Sequence, residues 1–162
     1  MQLAFFNPLQ VVVEEDGVRG ARISALYGHN ADVTGLDVGF VGLSETMTGL
    51  QINAAYNGPD DLDGFQIGAL NQVTNRVRGF QLGGVLSHAE EVVGLQIAGT
   101  HSRAESVTGA QISGIVNETE ELRGLQLGVV NCNWSRPFPF QCIPVMSLGF
   151  ASASDEDADS ED

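Results

Sequence analysis

Apolar residues recur along this chain with a period close to fifteen. Glycines stand at 20, 35, 49, 64, 79, 94, 109 and 124. With each of these glycines as position one, position two reads Ala21, Leu36, Leu50, Phe65, Phe80, Leu95, Ala110, Leu125. Position four reads Ile23, Val38, Ile52, Ile67, Leu82, Ile97, Ile112, Leu127. Position seven is largely apolar, as in Leu26, Val41, Leu70, Val85, Ile115 and Val130. The residue two before each glycine is Val18, Val33, Met47, Leu62, Val77, Val92, Val107 or Leu122. Positions five and six are mostly Gly, Ala or Ser, and positions eight to thirteen are mainly polar. A fixed period of this length marks a repeat architecture.

A straight strand places its buried residues an even number apart. Here the apolar set changes parity twice per unit, by three steps across the glycine and by three steps from position four to position seven. A chain that bends at the glycine and again at the small pair points all of these residues inward. Glycine tolerates the positive φ and close approach that bends need. The pattern therefore predicts an all-β, single-domain β-solenoid of about eight 15-residue coils. A meander or barrel would need unbroken alternation, about 9–11 residues per strand for a transmembrane barrel. Helical solenoids use repeats of about 33 residues or more. In this reading Leu50, Phe65, Phe80 and Leu95 form one inward column. Gln51, Gln66, Gln81, Gln96, Gln111 and Gln126 point outward and hydrogen-bond coil to coil in a ladder.

The open ends of a solenoid must be blocked. Four segments are expected: an N-terminal cap over 1–17, the repeats over 18–131, a C-terminal cap over 132–150 and a disordered acidic tail over 151–162. The caps hold Phe5, Phe6, Trp134, Phe138, Phe140 and Phe150, with Pro8, Pro137, Pro139 and Pro144. Large rings would cover the core ends, and proline would stop further pairing.

Composition narrows the function classes. The chain carries 21 acidic and 7 basic residues, a net charge of −14. Every basic residue is Arg. Phosphate backbones would repel it, so nucleic acid is not an expected partner. No apolar run reaches the roughly 18 residues of a membrane-spanning helix. Six of the acids fall in 155–162, a run that cannot bury apolar area and repels itself. The N-terminal Met-Gln-Leu-Ala-Phe-Phe-Asn-Pro has no basic region or small-residue cleavage site, so it does not read as a secretory signal. Cys132 and Cys142 could form one disulfide or remain thiols.

Several phrases taken together resemble the leptospiral-type bacterial surface-repeat family. They are Leu26-Tyr27-Gly28-His29-Asn30, then Val33-Thr34-Gly35-Leu36-Asp37-Val38-Gly39, the repeated glycine–apolar–Gln–apolar units, and a Pro-Phe-rich end closing in Ser147-Leu148-Gly149-Phe150. The resemblance covers roughly residues 18–150. It implies export or surface location, with no established activity. The Asn that ends several units, at 57, 71, 117 and 131, is read as a turn residue.

Motifs for chemistry are absent from the sequence: there is no nucleophile elbow, no phosphate loop and no calcium-binding nonapeptide. His88 and His101 fall on adjacent coils, short of the three or four converging ligands of a metal site. Threonines occupy several repeat positions and form no double column of the kind an ice-binding face would present. Position twelve carries Asp60, Asn75, Glu90, Glu105 and Glu120 on consecutive coils. This acidic stripe, Asp60, Glu90, Glu105 and Glu120, is the candidate for binding a cation or a basic partner. No catalytic residue and no cofactor is expected. The function expected is a non-catalytic repeat scaffold at a surface, with a protein partner on the acidic tail or stripe. The alternatives are a cation- or small-ligand-binding solenoid, or an enzyme with its site on one solenoid face.

Overall fold

The computed structural model describes residues 2–4 and 18–150. The elements are β1 (Gln2–Ala4), β2 (Val18–Gln72), β3 (Arg76–Ala98), β4 (His101–Ser113), β5 (Val116–Thr119), β6 (Glu121–Asn133) and β7 (Cys142–Gly149). β2 runs for 55 residues because the ribbon stays hydrogen-bonded as it winds through successive coils. All pairings from β1 to β6 are parallel. Gly64 pairs with Gly79, Gly94 with Gly109 and Gly109 with Gly124, so one repeat is one coil. The fold is a β-solenoid, as the period predicts.

The repeat glycines make the winding possible. All eight hold a positive φ, between 110° and 142°. A side chain at Gly94 would also drive its Cβ into the carbonyl oxygen of Gly79 on the preceding coil. Both facts require glycine at this corner. The other bends fall at positions six and seven, where Gly84-Val85 and Gly114-Ile115 are both exposed, and at positions twelve and thirteen.

The inward residues differ from the expectation. Inward are positions three, five, nine, eleven and fourteen, not two, four and seven. The six repeat Gln residues are fully buried, whereas Phe65 is 57% exposed. The column of Leu50, Phe65, Phe80 and Leu95 does exist, with Phe65 opposite Phe80 at 6.0 Å between ring centroids, but it lines the outside. The physical reason is twofold. Position fourteen stands an even four steps before position three of the next coil, so the alternation runs on through the glycine corner, and the parity changes only between positions eleven and fourteen. A narrow coil also has no room for Phe and Ile at two and four besides the apolar residue at fourteen.

The interior is therefore half apolar and half amide. Val33, Met47, Leu62, Val77, Val92, Val107 and Leu122 stack in one buried column, joined by Val73, Ala89 and Ala104. Beside them each Gln Nε2 donates to the Oε1 of the Gln one coil earlier. The distances are 2.9 Å from Gln66 to Gln51, 2.9 Å from Gln81, 2.8 Å from Gln96, 2.9 Å from Gln111 and 2.7 Å from Gln126. The expected ladder is present, inside the rod rather than on it. Asn57, Asn71, Ser87, Ser102, Asn117 and Asn131 form a second buried polar column, where a turn role was expected of the asparagines. Asn57 Nδ2 donates to Ile67 O at 2.9 Å, Ser87 Oγ to Ile97 O at 2.9 Å and Asn117 Nδ2 to Leu127 O at 2.7 Å, each reaching the next coil. Asn71 stands one place early because the register shifts between Gly68 and Leu70.

β7 closes the C-terminal end by running antiparallel to β6, with Gln126 opposite Ser147 and Gly124 opposite Gly149. Cys132 and Cys142 form a disulfide where this pairing begins. The aromatic-cap expectation is corrected here. Phe138 is 86% exposed and Phe140 65%, and Trp134 and Phe150 are exposed as well, so none of them covers the core. Hydrogen-bonded backbone closes the end instead, a better match for a sheet edge than a ring is. Of the N-terminal cap, Phe5, Phe6 and Pro8 lie outside the described residues, as does the acidic tail over 151–162.

Candidate interaction surfaces

The outer surface divides by chemistry according to position in the coil. In every coil from Gly35 to Val130, positions two, four, six and seven carry no charged residue. Eleven acids and four arginines between Asp32 and Arg123 all fall in positions eight to fifteen, a local net charge of −7. The buried Asp37 is the exception to this division within those coils. The rod thus has one apolar side and a charged remainder.

Asp37 belongs to the interior. It stands where the Gln ladder would otherwise continue toward the N-terminus. It accepts from Gln51 Nε2 at 2.9 Å and Asn53 Nδ2 at 3.0 Å. Arg22 closes the column with a bidentate pair to Asp37, at 2.7 and 2.6 Å, and donates to Leu43 O at 3.0 Å. Both side chains of the ion pair are buried. Every Gln in the ladder points its NH2 toward this end, so the aligned amide dipoles present their positive pole to the Asp37 carboxylate. An acceptor-only group is the chemically suitable terminator, and Arg22 neutralises it. At the other end the acceptor has no donor: Gln126 Oε1 and the neighbouring Ser147 Oγ are buried without a hydrogen-bond partner.

Asp60, Glu90, Glu105 and Glu120 lie exposed on the charged part of the rod. Backbone bonds hold the stripe in step, Asn75 N to Asp60 O at 2.8 Å and Glu120 N to Glu105 O at 2.9 Å. Neighbouring acids are partly offset: Arg76 Nε meets Glu91 Oε2 at 2.5 Å, and Asn75 Nδ2 meets Asp61 Oδ2 at 3.2 Å. Among the described residues no three His, Cys, Asp or Glu side chains converge as a metal site. His88 and His101 are not in register: His88 pairs with Arg103, and His101 with Leu86 and Val116. His101 Nε2 lies 3.7 Å from Glu118 Oε2. Burial, with the Arg103 charge beside it, lowers the His88 pKa below the usual imidazole value.

A shallow depression of about 230 Å³ lies at the glycine corner, walled by Thr46, Thr48, Asp61, Asp63, Arg76 and Arg78 over Met47 and Leu62. It is smaller than the roughly 300–1,000 Å³ of an ordinary small-molecule site. Two of its walls are already committed, Asp61 to Asn75 and Arg76 to Glu91.

The exposed apolar side is not distinguished from the core by hydrophobicity alone. Its signal was available as the absence of charge from positions two, four, six and seven. Among the described residues no helix is long and apolar enough to cross a membrane. Comparison with protein-family models, with characterised proteins and with solved structures gives no match.

Proposed function

We infer that this protein is a non-catalytic repeat scaffold that presents flat surfaces to protein partners, displayed at or beyond the cell surface. The observation that carries the reading is how the polar groups are used. The polar side chains of the interior are spent on each other in the Gln ladder and largely on backbone carbonyls of the next coil in the Asn/Ser column. The outward positions repeat regularly from coil to coil, and the depression at the glycine corner is shallow. Catalysis needs polar groups converging on one reacting atom, whereas a ladder distributes them along a line. The resemblance to leptospiral-type surface repeats supports the location. So does the Cys132–Cys142 disulfide, since such bonds persist in oxidising compartments.

Antibody labelling of cells tests the location. Intact and permeabilised cells are expected to stain equally, and staining restricted to permeabilised cells overturns it. The stripe of Asp60, Glu90, Glu105 and Glu120 favours a second reading, cation binding. Thermal melts separate the two. Without cation binding, Glu105→Gln relieves repulsion between neighbouring carboxylates and raises Tm at low salt. The gain fades at high salt as screening takes over, and calcium shifts parent and variant alike. A calcium shift confined to the parent would favour the cation-binding reading.

A further inference from the structure

We propose that the apolar side is the interface of a homodimer, in which two copies pack face to face with their rods antiparallel. The surface consists of eight rows of two outward residues. Seven rows come from the coils, Leu36/Val38 through Leu125/Leu127. The eighth comes from β7, where Leu148 pairs opposite Leu125 and Met146 opposite Leu127, both exposed. The apolar surface therefore continues without interruption across the strand that closes the rod.

Four observations select a second copy as the occupant. The first is area. Side chains spaced about 6.8 Å along a strand and about 4.8 Å between strands cover roughly 500 Å² per copy over these rows. Two copies bury about 1,000 Å² before the exposed corner residues Phe40, Leu70, Val85 and Ile115 are counted, which reaches the lower bound for a specific interface. The second is size, because the rows alone reach the upper part of the roughly 300–600 Å² spanned by the largest apolar patch of a monomer, the range in which such patches are often functional, and the corner residues extend it further. The third is charge. Face-to-face pairing turns the charged sides of both copies outward to solvent and places no charged residue of positions two and four in the contact. A second acidic chain can approach from this side alone without meeting like charge.

The fourth is shape. A twofold axis lying in the interface, perpendicular to the rods and centred between the Phe80 and Leu95 rows, keeps position two over position two. It sets row three against row six, so Phe65 faces Ala110 of the second copy. Phe65 projects furthest in its column, at 57% exposed, and Ala110 is the smallest residue of the eight rows. The same operation sets Phe80 against Leu95 and Leu82 against Ile97. Bulk therefore meets a recess twice, as an isologous interface requires.

The test is sedimentation equilibrium of the purified full chain with its disulfide formed. The parent is expected to be a dimer, and Leu82→Glu a monomer with an unchanged circular dichroism spectrum, because Leu82 points outward. Ala110→Phe is expected to weaken dimerisation at least about tenfold by overpacking the recess. Adding Phe65→Ala to Ala110→Phe exchanges the two shapes and is expected to restore the dimer. A parent that stays monomeric across the micromolar range overturns the proposal, whatever the variants do. So does a monomeric parent that floats with phosphatidylcholine vesicles, which would assign the side to lipid. A dimer that survives Leu82→Glu places the interface elsewhere. Failure of the double variant to recover association overturns the antiparallel arrangement.

Discussion

At the scale of single residues, the interior amide is the most constrained group in this molecule. Gln96 donates to Gln81 at 2.8 Å, accepts from Gln111 at 2.9 Å and reaches Arg103 O across the coil at 3.5 Å. Gln96→Glu keeps the shape and removes the donor. The carboxylate would be buried beside the Gln81 oxygen, and the variant should lose about 2–4 kcal/mol at neutral pH. Burial raises the folded pKa of such a Glu above its unfolded value of about 4.3. The penalty therefore shrinks as pH falls through the folded pKa, and is least below the unfolded one, where the neutral acid can donate again. Urea melts at pH 7 and pH 4 check the sign. A loss that grows on acidification would mean that the fold stabilises the carboxylate and lowers its pKa instead of raising it. Gly94 carries a different constraint, with φ at 133° and no room for Cβ. Gly94→Val should cost at least about 3 kcal/mol, combining backbone strain with a collision. A loss under about 0.5 kcal/mol, read from the same melts, would remove the backbone argument.

At the scale of elements, the 15-residue period made the coil and its parallel register legible in the sequence, because both follow from the spacing of Gly64, Gly79, Gly94 and Gly109. The inward side was not legible from hydrophobicity. Position sets two/four and three/five have equal internal spacing, but position fourteen lies an even four steps from the following position three and an odd three from position two, so plain alternation through the glycine joins fourteen to three/five. A buried Gln is costly alone and acceptable in a ladder, a cooperative property that no single repeat reveals. The closure of the C-terminal end was not legible in its chemistry: the rings are outside and β7 forms the closure. The acidic stripe was legible as a column of neighbours, while its companions Arg76 and Asn75 acquire partners only through register. β7 itself carries a local strain. Val145 has φ 70° opposite the register shift between Gly128 and Val130, a conformation that β-branched residues avoid. Val145 is largely exposed, so it contributes little packing. Val145→Gly should therefore be neutral or stabilising by up to about 1 kcal/mol, relief of strain outweighing the added freedom of the unfolded chain. A destabilisation above about 1 kcal/mol in thermal melts would mean that Val145 packs against a group it does not touch here.

At the scale of the whole molecule, stability should behave as a sum over coils and the contacts between neighbours, because each coil touches mainly the one before and the one after. Interchangeability then depends on register. Residues 94–108 make up one coil, and its neighbours already present the same groups at the same places. Joining Val93 to Gly109 would set Gly109 over Gly79, Gln111 over Gln81 and Val107's successor in the core, Leu122, over Val92. The ladder would close with Gln111 donating to Gln81, and the second polar column would close with Asn117 beside Ser87. Deleting 94–108 should leave a folded, shorter rod with a modestly lower Tm and a smaller urea m-value, since one coil less surface is exposed on unfolding. Deleting only 94–107 removes one residue fewer and leaves Thr108 beside Gly109. Every inward residue between the junction and the next bend would then be displaced by one, placing Gln111 and Ser113 on the outside and Thr108 and Ala110 in the core. That variant should fail to fold or melt far below the other. Circular dichroism melts of the two deletions, which differ by a single residue, measure how strictly the glycine corner sets the register. Equal stability of the two would show that the coils slip freely, and that the Gln ladder does not hold them in step.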